Sequence, residues 1–312
     1  MIVALAGGVG GARLAVGLAA ALAPSEVAFV VNTGDDFEHH GLAISPDLDT
    51  VMYTLAGIAN PATGWGRRDE TWNFMDTLGA LGGDRWFRLG DRDLAVHVLR
   101  TESLRAGRPL SEITLRLASA LGIRHALLPM SDSTVRTRVR TVDGEELPFQ
   151  DYFVRLRCRP RVSGFGFAGS RSARVPPRLR RIVAKPVQAV VICPSNPYIS
   201  IAPILSVREI REWLRRRSFP VIAVSPIVGG AALKGPAAKM MRELGQDATA
   251  LGIARHYGGL VDGWVIDSRD RKLAPAIERE AKAVLVTDTI MSSRAKSVAL
   301  ARRVLDFARG LG

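Results

Sequence analysis

Apolar positions along the chain come in short unbroken runs separated by longer periodic stretches. Ile2–Ala6 is apolar throughout, Gly7-Gly8-Val9-Gly10-Gly11 follows, and an Ala/Leu-rich stretch continues to Leu22. That order predicts a buried strand, a glycine turn and a helix. Val27–Val31 is a second β-branched run, closed by Asn32-Thr33-Gly34, and completes a βαβ unit whose crossover should be right-handed. Helical periodicity follows at Asp49–Ile58, Thr71–Leu81, Asp91–Arg105 and Ser111–Leu121, with a strand at His125–Leu128. Val135–Val142, Asp143-Gly144 and Leu147–Leu156 read as a hairpin, because Asp-Gly is a strong turn signal. Arginines and glycines crowd the next thirty residues, after which the α/β rhythm returns. Strands are expected at Val187–Cys193, Val221–Ser225, Trp264–Asp267 and Val284–Thr287, and a last helix at Ser292–Phe307. The pattern predicts an α/β fold: a three-layer, mostly parallel Rossmann-like sheet with helices on both faces. A smaller β-rich, Arg-dense subdomain at 135–185 is expected to interrupt a core made of 1–134 and 186–312.

Composition narrows the class. The 312 residues are 47% hydrophobic and 23% charged, which is globular rather than disordered. No apolar run approaches the roughly 18 residues of a bilayer span. The two cysteines, Cys158 and Cys193, fit neither a disulfide framework nor a four-ligand zinc site. Met1–Ala6 enters apolar sequence directly, and the expectation is a cytoplasmic enzyme. Lys and Arg outnumber Asp and Glu by 43 to 30, a formal +13 that concentrates anionic ligands, unless it reflects only an Arg-rich surface. With no zinc-finger spacing and 6% aromatic residues, nucleic acid is not the expected partner.

Three loops at strand ends carry the candidate chemistry, because ligands of doubly wound sheets lie beyond the carboxyl ends of the strands. In the first, Gly8, Gly10 and Gly11 let the backbone approach a phosphate at a helix N-terminus. Arg13 replaces the third glycine of the dinucleotide fingerprint and no P-loop Lys follows, so a tight structural turn is the competing reading. The second loop, from Asn32 and Thr33 to Thr50, carries Asp35, Asp36, Asp47 and Asp49 within fifteen residues. Clustered carboxylates need a shared cation, proton or hydrogen-bond network, and oxygen ligands suit Mg²⁺. Asp47 fits a helix cap as well as a site. The third is Pro194-Ser195-Asn196-Pro197, a rigid loop after a buried strand, for which a plain turn is the alternative. Arg88, Arg92 and Lys234 are candidates to offset substrate charge, and a solvated helix start is the other reading of 88–93. His39 and His40 are adjacent and make a poor metal pair; His97, His125 and His256 read as isolated structural residues.

Taken in order, Gly-Gly-Val-Gly-Gly-Ala-Arg-Leu at 7–14, Asn-Thr-Gly-Asp-Asp at 32–36 and Ile-Ser-Pro-Asp-Leu-Asp-Thr-Val-Met-Tyr at 44–53 resemble a known family. Arg-Leu-Gly-Asp-Arg-Asp at 88–93, Leu-Pro-Met-Ser-Asp at 128–132, Cys-Pro-Ser-Asn-Pro at 193–197 and Val-Ser-Pro-Ile at 224–227 extend the match. The family is the 2-phospho-L-lactate transferases of coenzyme F-420 biosynthesis, including bacterial phosphoenolpyruvate-using members. The resemblance implies transfer from a guanosine diphosphate ester of lactate, enolpyruvate or a related acid. The acceptor would be the terminal ribityl hydroxyl of 7,8-didemethyl-8-hydroxy-5-deazariboflavin, with GMP leaving and Mg²⁺ required. It further implies a homodimer, and deazaflavin binding by Asp49 and Arg88.

On that basis Asp35, Asp36 and Asp49 are the expected metal-binding and hydroxyl-orienting set. Gly8, Gly10, Gly11, Asn32, Thr33, Arg88, Arg92, Ser195, Asn196 and Lys234 are the expected substrate contacts. Two other classes compete. A nucleotide-sensing regulatory protein of a related glycine-rich family would need no acceptor site, and a nicotinamide oxidoreductase would need the glycine that Arg13 replaces.

Overall fold

The computed structural model describes residues 1–281 and 283–312. Seven parallel strands form the central sheet: β1 (Ile2–Ala6), β2 (Val27–Val31), β5 (Ala126–Pro129), β9 (Ala189–Ile192), β10 (Val221–Val224), β13 (Gly263–Asp267) and β14 (Ala283–Thr287). Two hairpins, β3 (Phe37–His39) with β4 (Leu42–Ile44) and β11 (Ile227–Val228) with β12 (Ala231–Ala232), project from it. A separate antiparallel sheet holds β6 (Arg136–Thr141), β7 (Glu146–Pro148) and β8 (Val162–Ala168).

The central order is β14-β13-β10-β9-β1-β2-β5. Both faces are covered, which is why these strands are continuous apolar runs rather than alternating ones. Ile2, Ala4 and Ala6 face one core with helix α1 (Gly8–Ala21), helix α2 (Pro46–Leu55) and the C-terminal helix Arg294–Arg309. Val3 and Leu5 face the other core, with Ile204, Ile210 and Leu214. Gly17 lets α1 meet the C-terminal helix, since a Cβ there would lie 2.1 Å from the Ser297 carbonyl oxygen. The chain runs outward from β1 to β2 and β5, then returns to build on the other side of β1 from β9. The order therefore reverses between β1 and β9, and a crevice opens beyond their carboxyl ends.

The fold matches the α/β expectation, with local corrections. Pro148 ends the second arm of the 135–156 hairpin, because it has no N–H with which to extend a ladder. The chain then forms a π-helical turn at Asp151–Arg155, and the rings of Phe149 and Phe153 stack at 5.2 Å. The Gly-rich segment Val162–Ala168, not expected as a strand, pairs with β6. The polar stretch after Gly34 contains the β3–β4 hairpin, turned by His40 and Gly41 in the left-handed region. Further along lie helices α3 (Asn73–Ala80), α4 (Asp91–Arg105) and α5 (Leu110–Ala120).

Candidate active site

Two of the three expected loops meet at the switch point. Ser195 Oγ accepts the Gly7 amide proton at 3.2 Å and lies 2.8 Å from the Gly7 carbonyl, to which it donates. A Cβ on Gly10 would lie 2.1 Å from the Pro194 carbonyl oxygen, and one on Gly11 2.5 Å from Ser195 Oγ. These glycines are therefore demanded by the close approach of the two loops, whatever ligand they seat. Gly8 has a φ of +61°, a conformation that favours glycine. Asn196 caps the segment after it, accepting the Tyr198 amide at 3.0 Å. A cavity of about 670 Å³ opens here, with the Gly7–Gly10 turn, Ser195 and Asn196 in its wall. That volume is in the range of small-molecule sites.

The second loop crosses the floor. Asn32, at the end of β2, is fully buried. Its Nδ2 faces Asp35 Oδ1 and Asp47 Oδ2, each at 2.9 Å, and the Ile199 carbonyl at 3.1 Å. Its Oδ1 accepts the Gly34 amide at 2.8 Å, fixing the turn that presents Asp35. Asp47 also accepts the Gly8 amide at 2.7 Å. Asp47 thus joins the site rather than capping its own helix. Burial pushes Asp35 well above the usual carboxylate range, and the Asp47 charge pushes it further. Burial raises Asp47 to about 6, against the hydrogen bonds from Asn32 and Gly8. Two buried carboxyl groups share the Asn32 amide here, and burial disfavours charge on both. Thr33, beside them, is buried, and its hydroxyl has no partner.

Asp36 and Asp49 lie apart from that pair. Asp36 accepts from Ser45 Oγ at 2.7 Å behind the cavity wall, its other oxygen has no partner, and burial raises it to about 7. Asp49 lines the cavity one helical step beyond Asp47. Both of its oxygens are gripped by the fully buried guanidinium of Arg100 on α4, with Nη1 at 3.0 Å from Oδ2 and Nη2 donating to Oδ1. Burial alone would lower Arg100, and the Asp49 carboxylate outweighs it and holds the guanidinium charged. His97 Nδ1 lies 3.2 Å from Arg100 Nη1, so it accepts, leaving the ring proton on Nε2 at 3.3 Å from Asp93 Oδ2. The Tyr53 hydroxyl donates to the other oxygen of Asp93.

Asp49, Asp93 and His97 are the one trio among the described residues whose ligand atoms lie within 4.8 Å of one another, as a metal site would need. Asp35, Asp36 and Asp49 do not form such a trio. Arg100 already supplies a cation at Asp49. His97, read from sequence as an isolated structural residue, belongs to the site; Asp93, His97 and Arg100 share one face of α4 at spacings of four and three, a signal visible in sequence.

The expected cations divide. Arg88 lies in the cavity wall, its guanidinium carbon 3.8 Å from the centre of the Trp72 ring. Lys234 also lines the wall, but its ammonium donates to the Thr63 carbonyl at 2.8 Å, tying the 60–66 loop across the glycine turn. Arg92 is exposed and outside the lining, its backbone held by Glu70. Arg13, noted as a departure from the dinucleotide pattern, lines the cavity and donates to the Met291 carbonyl at 3.0 Å. The rings of Trp86, Phe87, Tyr53, Phe149 and Phe153 also line the cavity.

Residues 2–304 match the family described as 2-phospho-L-lactate transferase CofD. A protein from Streptomyces griseus named phosphoenolpyruvate transferase is 41% identical over 98% of each chain. One of the same name from Mycolicibacterium smegmatis is 40% identical over 92% of this chain and 94% of that one. A crystal structure of a UPF0052-family protein from Bacillus halodurans shares the fold, with a TM-score of 0.57 at 14% identity, covering 97% of this chain and 98% of that one. No helix among the described residues is long and apolar enough to cross a membrane. An acid-lined crevice at the sheet's switch point and a match spanning almost the whole chain lead to one assignment: the chain belongs to the 2-phospho-L-lactate transferase CofD family and is a transferase of that type.

Proposed function

We propose that the protein transfers a phosphoenolpyruvyl or phospho-lactyl group from a guanosine diphosphate ester to the ribityl hydroxyl of 7,8-didemethyl-8-hydroxy-5-deazariboflavin. The names of the relatives favour the enolpyruvyl donor. In this reaction the hydroxyl oxygen bonds to the phosphorus that carries the three-carbon acid. The bond from that phosphorus to the bridging oxygen breaks, GMP leaves with the electron pair, and the hydroxyl proton is lost.

The observation that carries this reading is a single cavity lined by the glycine turn, by carboxylates and by several aromatic rings. The donor occupies the side of the α1 turn, where Val9 and Gly10 present the first-turn N–H groups of a helix. Arg13 and Lys234 are the nearby cations. The acceptor ring lies along Trp86, Phe87, Phe149 and Phe153, with Asp49 and Arg88 at its polar edge.

A divalent cation fits the residues present, because Asp35 and Asp47 are buried, raised by burial and brought together on the one Asn32 amide, with the Gly8 amide also on Asp47. Asp35 and Asp47 would hold it, with Asp49 facing the acceptor. Bound Mg²⁺ would neutralise the diphosphate and ease departure of GMP. The chain's own part is positioning: Asn32 sets the angle between the two carboxylates, Arg88 and Arg13 offset charge at the two ends, and Asp49 accepts the hydroxyl proton's hydrogen bond. Asp36 supports this floor from behind through Ser45. The test is mass spectrometry after each guanylylated acid is offered with the deazaflavin and Mg²⁺. A phosphodiester of the deazaflavin together with GMP is expected; no adduct from either acid overturns the proposal.

A further inference from the structure

The proposed function leaves unexplained why a guanidinium is fully buried beneath the cavity. Arg100 is 2% exposed, yet it is one turn of α4 from residues that line the cavity. We propose that Arg100 is the positioning residue for Asp49, locking that carboxylate by a two-point grip so that its remaining lone pairs face the acceptor hydroxyl. This rests on the reading that Asp49 meets the deazaflavin.

Three observations support it. The contact is two-pronged, Nη1 and Nη2 each reaching a different Asp49 oxygen, and this fixes rotation about the carboxylate as a single contact cannot. Arg100 is itself clamped, with Nη1 within 3.2 Å of His97 Nδ1 and 3.4 Å of the Ala43 carbonyl. His97 Nε2 in turn lies 3.3 Å from Asp93, which accepts from Tyr53, so the grip is backed by groups on both α2 and α4. A buried ion pair serving the core alone could be replaced by apolar packing at little loss. This one opens on the cavity, since Asp49, Asp93, His97 and Tyr53 all line it.

The test uses the full-length protein and quenching of deazaflavin fluorescence. Lysine keeps the charge of Arg100 and loses the fork. Arg100→Lys should weaken deazaflavin binding about tenfold or more, the worth of one charged hydrogen bond, while the donor's KM stays within about twofold. In an Asp49→Asn background, where the carboxylate is gone, Arg100→Gln should change the affinity no further. That double variant leaves neither member of the Asp49–Arg100 pair buried without the other, so it remains informative if Arg100→Lys fails to fold. Unchanged deazaflavin affinity in Arg100→Lys, equal losses for donor and acceptor, or an additional loss in the double variant would each overturn the inference. Wild-type quenching that Arg100→Lys retains at undiminished affinity removes the inference alone. Absence of quenching by the wild type removes the proposed function and the inference with it.

Discussion

The Asp47 carboxylate accepts the Gly8 amide proton at 2.7 Å, so the first turn of α2 supplies an acid to the first turn of α1. A helix N-terminus favours negative charge, and here a side chain already provides it. In the proposed reaction an incoming diphosphate would therefore meet a carboxylate at the turn that glycine spacing alone marks as an anion seat. A cation between the two would resolve the repulsion.

Asp47→Asn keeps an oxygen for Gly8 and removes the charge. The variant should fold, and the Mg²⁺ concentration giving half-maximal rate should rise about tenfold or more. Titrating the rate with Mg²⁺ decides it; a curve that overlays the parent's removes Asp47 from the metal site.

Asp36 predicts a pH effect on stability. Its folded value, raised to about 7 by burial, lies above the ordinary 3.8. A raised carboxyl favours the folded state below its unfolded value, and that advantage is lost as pH rises through about 7. In chelator, Asp36→Asn should therefore gain on the parent progressively as pH rises from about 4 to 7, with a small gain at pH 5 and the full gain at pH 8. The difference is at most about 4 kcal/mol. Melting curves that stay parallel from pH 5 to 8 would contradict it.

Gly10→Ala drives a methyl into the Pro194 carbonyl. The two loops must part, at a cost of roughly 1–3 kcal/mol of stability. Urea denaturation should show the loss, and guanylylated donor should bind more weakly. A stable variant with normal donor affinity would mean that the seam between β1 and β9 yields without consequence.

Lys234→Met cuts the tie to Thr63. Limited proteolysis should then cleave within 60–66 faster, and the donor's KM should rise several-fold with little change in melting temperature. An unchanged cleavage rate would show that Lys234 does not restrain that loop.

Much of this was legible in the sequence because burial on both faces writes itself as unbroken apolar runs. Ile2–Ala6 and Val27–Val31 were readable as strands for that reason. The glycine turn and Pro-Ser-Asn-Pro were readable because close backbone approach and rigid turns restrict residue type. The acid cluster was visible, but its internal division was not. Asp35 joins Asp47 through Asn32, whereas Asp49 turns to Arg100, fifty-one residues away. Only tertiary packing of α4 against the β4–α2 segment brings that guanidinium in. His97 looked alone because its partners are a helical turn before it and on another helix. The β3–β4 hairpin was hidden by a polar, histidine-bearing turn, and β8 by its glycines.

The three-stranded sheet is stitched to the acid loop: the Thr137 amide donates to the Gly34 carbonyl at 2.7 Å, and Gln150 Nε2 to the Asp35 carbonyl at 3.1 Å. A chimera that grafts this region from a distant relative must therefore bring a compatible 32–36 segment with it. Drift in the one constrains drift in the other, so these two stretches should be exchanged between homologues as a single cassette.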